Sequence, residues 1–187
     1  MMFDLKELKE IVVEFPPDKN KISKYIRQNL DIQSLCWTEK ESILFAVIEH
    51  AYLMNICDIC DLVDEDMSDF EFDEQCGKCN HEEKLKLLNT DGRYAPEIVR
   101  LILDELDIVG DSTIRSDQCW LAVLYSTFDS YTEEIAKTLL EYGILPENLE
   151  KVLEWFEVRA DYMSTYNNEA LLHTYMNVIK MLEQNQD

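Results

Sequence analysis

The sequence predicts an all-α, helical-repeat solenoid forming one domain over residues 1–187, with a small Cys-rich, zinc-ribbon-like insert at residues 57–82. Three observations carry that expectation. Ile22-x3-Ile26-x3-Leu30-Asp31-Ile32, followed by Ala46-Val47, recurs as Ile98-x3-Ile102-x3-Leu106-Asp107-Ile108, followed by Ala122-Val123. The offset is a constant 76 residues without a gap. An echo on this scale marks a repeated unit that buries its apolar stripe by stacking on its neighbours. Four Gly and four Pro are few for a β-protein of 187 residues, whose many turns would demand them. Finally, two Cys-x2-Cys pairs enclose a strongly acidic stretch that breaks the helical periodicity.

Each element has its own local reason. Leu5, Leu8, Ile11 and Val12 stand at helical spacing, which predicts a helix over residues 4–14 ended by Phe15-Pro16-Pro17. Asp18 is placed to cap the next helix, whose stripe is Ile22, Tyr25, Ile26 and Leu30. Residues 31–41 read as a polar, irregular stretch with Trp37 as the exception. Ser42 then caps a helix through Ile43–Ile56 that is apolar nearly all round, and so central and buried. Lys84–Leu88 reads as a short helix, and Pro96 as a first helical residue before Ile98, Val99, Leu101 and Ile102. Gly110-Asp111-Ser112 is a loop. Further helices are expected from Trp120, over Thr132–Tyr142 with Gly143 as the stop, from Pro146 to Phe156, and over Asn168–Glu183. Small Ala46 and Ala122 let adjacent helices approach closely.

The spacing within the repeat resembles that of ankyrin repeats, in a degenerate form. In that family a Leu-Leu-x-x-Gly-Ala-Asp helix end precedes a loop, and the Ala of the next helix start follows the Asp by fifteen residues. Asp31 to Ala46 and Asp107 to Ala122 are each 15 residues apart. Leu139-Leu140-Glu141-Tyr142-Gly143 is similar to the family's second-helix end. Arg159-Ala160-Asp161 with Ala170-Leu171-Leu172-His173 is similar to one more loop and helix start. The 76-residue offset is close to two 33-residue repeats with insertions. The departures are large. Asn29 and Glu105 stand where the family has Gly, Thr-Pro is absent, and the loop around Thr127–Thr132 is long. The resemblance implies a scaffold that works by binding.

Cys57-x2-Cys60 and Cys76-x2-Cys79 have the spacing of a four-sulfur zinc site, in which each pair reaches one tetrahedral ion. Gly77 permits the tight turn of a metal knuckle, His81 is a substitute ligand, and Phe70 and Phe72 alternate with acids as a short strand beneath. Four thiolates leave no position for water, so such a zinc is structural. The competing reading is that Cys57 and Cys60 are buried thiols at a helix end, the role also expected of Cys36 and Cys119.

Seventeen Lys+Arg against 39 Asp+Glu give a net charge of −22. Such a field repels nucleic acid and anionic membranes and speeds encounter with basic partners. The ordinary alternative is that acidity serves solubility. No apolar leader opens the chain and no run is long enough to span a membrane, so a cytoplasmic protein is expected. The three histidines, His50, His81 and His173, complete no catalytic set, and no phosphate-cradling Gly-rich loop occurs, so no enzyme is expected. Glu133, Glu134, Glu147 and Glu150 read as helix N-terminal charges.

The expected activity is inhibition of a basic protein, such as a toxin nuclease or another nucleic-acid enzyme, by occlusion. The candidate contacts are Trp37 together with Asp64, Glu65, Asp66, Asp69 and Glu71 of the insert. In composition the chain is similar to immunity proteins of bacterial toxin systems, some of which use ankyrin-like scaffolds. The alternatives are a non-inhibitory ankyrin-like adaptor, or an acidic phage-type inhibitor that mimics nucleic acid.

Overall fold

The computed structural model describes residues 3–12, 18–51, 94–108, 114–125, 129–166 and 168–185. The expected Cys-rich insert at residues 57–82, and with it Cys57, Cys60, Cys76, Cys79, Asp64, Glu65, Asp66, Asp69, Glu71 and His81, lies outside the described residues, as do the expected helix at Lys84–Leu88 and the expected loop at Gly110–Ser112.

Among the described residues the chain is almost entirely helical. Its helices are α1 (Leu5–Val12), α2 (Lys19–Asn29), α3 (Trp37–Ala51), α4 (Tyr94–Glu105), α5 (Asp117–Tyr125), α6 (Asp129–Glu141), α7 (Leu149–Thr165) and α8 (Glu169–Gln184). Two short strands, β1 (Ile114–Arg115) and β2 (Ile144–Leu145), pair in parallel with Ile114 opposite Ile144.

Local chemistry sets the ends. The Asp18 side chain accepts from the Lys21 N–H at the start of α2, as its type and position predict. Asn148 and Asn168 cap α7 and α8 in the same way. Gly143 stops α6 with φ 71°, a left-handed conformation that costs glycine nothing. Asp107 takes the same role after α4 at φ 52°, so the counterpart of that glycine is Asp107 and not Glu105.

Several boundaries differ from expectation: α4 begins at Tyr94, two residues before Pro96, α5 at Asp117 and not Trp120, and α7 at Leu149 and not Pro146. The helix assigned to Ser42 onward begins five residues earlier, at Trp37. Its start is marked by the Cys36 N–H donating to Glu39 Oε2, half of a capping box. Ser42 lies inside the helix, its hydroxyl donating back to the Thr38 carbonyl. Arg159-Ala160-Asp161 is helix interior, not a loop, because α7 runs on to Thr165 and carries the buried Ala160 on its core stripe. The turn comes at Tyr166, and Ala170–His173 belongs to α8. Likewise α6 starts at Asp129, so the long loop expected up to Thr132 is largely helix.

The helices pack as two rows. In the odd row α1 touches α3, α3 touches α5, and α5 touches α7; in the even row α2 touches α4, α4 touches α6, and α6 touches α8. Each odd helix also packs on the even helix that follows it, most extensively α7 on α8. One continuous core fills the space between the rows, with Ile22, Ile26, Leu44, Ile48, Ile98, Ile102, Trp120, Phe156 and Tyr175 all inaccessible to solvent.

The two copies of the sequence echo are direct neighbours: α2 lies on α4, and α3 on α5. The offset of 76 therefore separates helices that are direct neighbours in the packing. Ala46 and Ala122 are both buried, at 3% and 1% exposure, on the central helices α3 and α5.

Candidate protein-interaction face

The outer surfaces of the two rows differ in chemistry. The even row is stitched by polar side chains. Lys19 pairs with Glu97, and Arg27 with Glu105, from α2 to α4. Arg100 pairs with Glu141, and the Tyr142 hydroxyl donates to Asp104, tying α4 to the end of α6. The Asn177 amide donates to Glu133, from α8 to α6. Glu133 thus works across helices, and its carboxyl is held below the usual range by Lys137 and then by Asn177.

The odd row instead carries apolar grooves. One, of about 500 Å³, runs between α5 and α7 and is lined by Leu121, Leu124, Glu154, Trp155, Val158 and Arg159. A second, of about 330 Å³, lies where α1, α3 and α5 meet, with Leu5, Phe45 and Ala46 beside Lys9, Glu41 and Glu49.

The first groove is rigidly built at one end. Asp117, at the start of α5, accepts from the Glu147 and Asn148 N–H groups through Oδ1, each at 2.9 Å. Its Oδ2 lies 3.5 Å from Lys151 Nζ. Arg115 donates to the Pro146 carbonyl at 3.1 Å. The β1–β2 bridge adds Ile114 N–H to Gly143 O and Ser116 N–H to Leu145 O, both at 2.9 Å. The Ser116 hydroxyl accepts from the Cys119 N–H and caps α5. One acidic residue and one short bridge therefore fix the first turn of α7 against α5.

From that anchor α7 carries two stripes. Val152, Phe156 and Ala160 face the core. Trp155, Val158 and Tyr162 lie on another face, three and then four residues apart, and Tyr166, in the turn that follows α7, continues the row four residues on. Val158, Tyr162 and Tyr166 are 64%, 49% and 65% exposed, which no core role explains. Tyr162 and Tyr166 lie with ring centroids 4.6 Å apart and planes tilted by 43°, and their shared hydrogen bond raises the Tyr166 phenol above its ordinary value. Lys151 sits over the Trp155 ring at 4.7 Å and Arg159 over Tyr162 at 5.7 Å, so these ring faces accept cations. The Arg159 Nε is buried without a hydrogen-bond partner among the described residues.

Trp37 does not stand in a loop. It is the first residue of α3, half-buried and packed on the core. Cys119 is buried as expected, but Cys36 is exposed. His173 is exposed beside Asn177, and the side chain of His50 is outside those described. Among the described residues no cluster of His, Cys, Asp and Glu can hold a metal ion, and no helix is long and apolar enough to cross a membrane. The α7 stripe was missed in the sequence because Trp155 reads as packing when taken alone. The signal was the spacing from Trp155 to Tyr166 on a helix that already had a complete core stripe.

No protein-family model, curated protein or solved structure matches this chain.

Proposed function

We propose that this chain is an acidic, protein-binding inhibitor of the immunity type, which neutralises a basic partner such as a toxin nuclease by covering it. The observation that carries this reading is the contrast between the two rows. The even row links its helices by ion pairs and side-chain hydrogen bonds, while the odd row exposes apolar grooves and aromatic rings on a chain of net charge −22. A surface of that kind, apolar at its centre and charged at its rim, is how protein interfaces are built. The charge adds steering of an oppositely charged partner.

We read the two-row stack as a degenerate ankyrin-like solenoid, with the odd helices as its binding face. The direct stacking of the 76-residue copies and the parallel bridge between successive loops support that architecture. The cysteine quartet Cys57, Cys60, Cys76 and Cys79 is proposed as a structural zinc site in the acidic insert, with Asp64, Glu65, Asp66, Asp69 and Glu71 adding to the negative field.

Capture of partners from the native host at low and at high salt tests the reading. The expected partner is basic, is lost as salt rises, and is inactive while bound. A partner held equally well in high salt, or fully active in the complex, overturns it. Metal analysis of the freshly purified chain tests the zinc site: about one zinc per chain is expected for four thiolates, and less than about half an equivalent overturns it.

A further inference from the structure

We propose that the outer face of α7, continuous with the α5–α7 groove, docks a basic amphipathic helix of the partner protein. This rests on the reading of the chain as a binder of a basic protein and names the surface and the partner's chemistry.

Two parallel rows on one helix carry the argument. Trp155, Val158, Tyr162 and Tyr166 form the apolar row, at steps of three, four and four residues. Glu150, Glu154, Glu157 and Asp161 form a second row, at steps of four, three and four, and all four are exposed. Residues at such steps share one face of a helix, so the rows run side by side. Each spans twelve residues in eleven steps, about 16 Å or three turns at the rise of an α-helix.

That length and pattern match what an incoming helix presents when it binds by apolar residues at i, i+3 or i+4, and i+7. Its apolar stripe lies on the Trp155–Tyr166 row and enters the groove beside Leu121 and Leu124. Its flanking Lys and Arg residues meet the four acids. The rings of Trp155 and Tyr162, which already carry Lys151 and Arg159, take further cations.

Charge selects this occupant over others. The acidic row repels phosphate, which disfavours nucleic acid and anionic membrane at this face. A second copy of the chain would bring a net charge of −22 against another of −22.

The probe is a synthetic amphipathic peptide with leucines at i, i+3, i+4 and i+7 and lysines elsewhere. Its binding to the full chain is followed by calorimetry at low salt. Binding to the wild type is expected to weaken at least about tenfold in Glu154→Lys/Glu157→Lys, as for removal of complementary interface charges. It should weaken by a similar factor in Val158→Asp, which puts a charge into the apolar row. Glu134→Lys/Glu183→Lys changes the net charge equally on the exposed even row and should leave binding within about threefold. Circular dichroism confirms that each variant is folded.

The proposal is overturned if the peptide fails to bind, if both double variants weaken it equally, or if Val158→Asp has no effect. It is also overturned if sedimentation shows a homodimer that Val158→Asp dissociates. Failure here is separable from failure of the broader reading. A native basic partner that is captured and inhibited, yet indifferent to Glu154→Lys/Glu157→Lys, overturns the α7 site alone. Peptide binding lost in those variants supports the site even where no native partner is inhibited.

Discussion

Arg27 on α2 and Glu105 on α4, 78 residues apart in sequence, form a two-bond ion pair with N–O distances of 2.7 and 2.6 Å. Lys19 and Glu97 join the same two helices at the same separation of 78 residues. Two bridges at one offset, eight residues apart on each helix, require α2 and α4 to run parallel and in register. That is the relation expected of equivalent helices under the proposed repeat architecture. The pairs also repeat the logic of the 76-residue echo, because the apolar residues that define it (Ile22 with Ile98, Ile26 with Ile102) are buried between the same helices and their row partners.

The two bridges should differ in worth. Glu105 retains 7% exposure of its side chain, whereas Lys19 and Glu97 retain 47% and 43%. Removing Arg27 leaves a carboxylate in a sheltered place without its partner, and removing Lys19 leaves one that water can solvate. Lys19→Ala is expected to cost less than about 1 kcal/mol, and Arg27→Ala to cost more than Lys19→Ala. Urea denaturation of both variants checks the order. Equal losses would show that Glu105 is solvated in the folded chain.

The helices were legible where local chemistry alone decides them. Asp18, Asn168 and Gly143 have the residue types their positions demand, and each does what those types do. Legibility failed where packing decides. Glu39 three residues after Cys36 marks the start of α3, but a cysteine is not a recognisable cap residue, and Ser42 offered a stronger local signal at the wrong place. Arg159-Ala160-Asp161 resembled a repeat loop, yet nothing in it breaks a helix, and Ala160 is needed in the core. Trp155 and Trp120 look alike in sequence. In the packed fold Trp120 is fully buried on α5, while Trp155 lines the groove between α5 and α7.

Ala122 and Ala46 occupy equivalent places in the echo, on the two helices that pack at the centre of the odd row. A leucine at Ala122 has no free volume to enter, so it must displace a helix or take a strained rotamer, whereas one at Ala46 borders the groove where α1, α3 and α5 meet. Ala122→Leu is expected to cost about 1–3 kcal/mol by overpacking, and Ala46→Leu less, because its side chain can extend into the groove. Ala170→Leu, on an exposed turn of α8, should stay within about 0.5 kcal/mol of the wild type. Thermal denaturation of the three single variants compares them directly. A neutral Ala122→Leu would mean that α3 and α5 are not closely packed there.

Cys119 should make the chain less stable in alkali. Burial pushes its thiol from 9.0 up to about 12, against a smaller opposing effect of Ser116. In the unfolded chain the thiol loses its proton near its ordinary value, while the folded chain keeps it until the raised one. Between pH 9.0 and about 12 the folded state therefore binds the extra proton, and stability falls as pH rises. For one titrating group the slope is about 1.4 kcal/mol per pH unit. Tyr25 and Tyr142, both raised first by burial, add to the fall in the same direction. Cys119→Ala should flatten the profile over this window whatever it does to stability at neutral pH. Urea midpoints measured from neutral to alkaline pH check this, and an unchanged slope in the variant would exclude Cys119 as the source. In the native chain at mild pH, exposed Cys36 should react with a thiol reagent while Cys119 does not.

Under the proposed binding role Asp117 should link stability to affinity, because it ties the entry of α7 to the start of α5 beside the groove. Its carboxylate takes two backbone N–H groups at the entry to α7 and faces Lys151, while its own side chain is only 15% exposed. Asp117→Ala leaves those two donors without their acceptor and frees Lys151 from the position it holds over Trp155. The expected cost is about 1–3 kcal/mol of stability. Asp117→Asn keeps one oxygen to accept the N–H groups but removes the charge opposite Lys151, so it should be the milder change. Partner affinity is expected to fall in both variants, and further than in Ala122→Leu at matched stability. The overpacked variant disturbs the core, whereas the Asp117 variants move the wall of the groove itself. Affinity and urea midpoint measured on the same samples separate the two effects. If affinity tracked stability alone across all three variants, Asp117 would be a cap for α7 and nothing more.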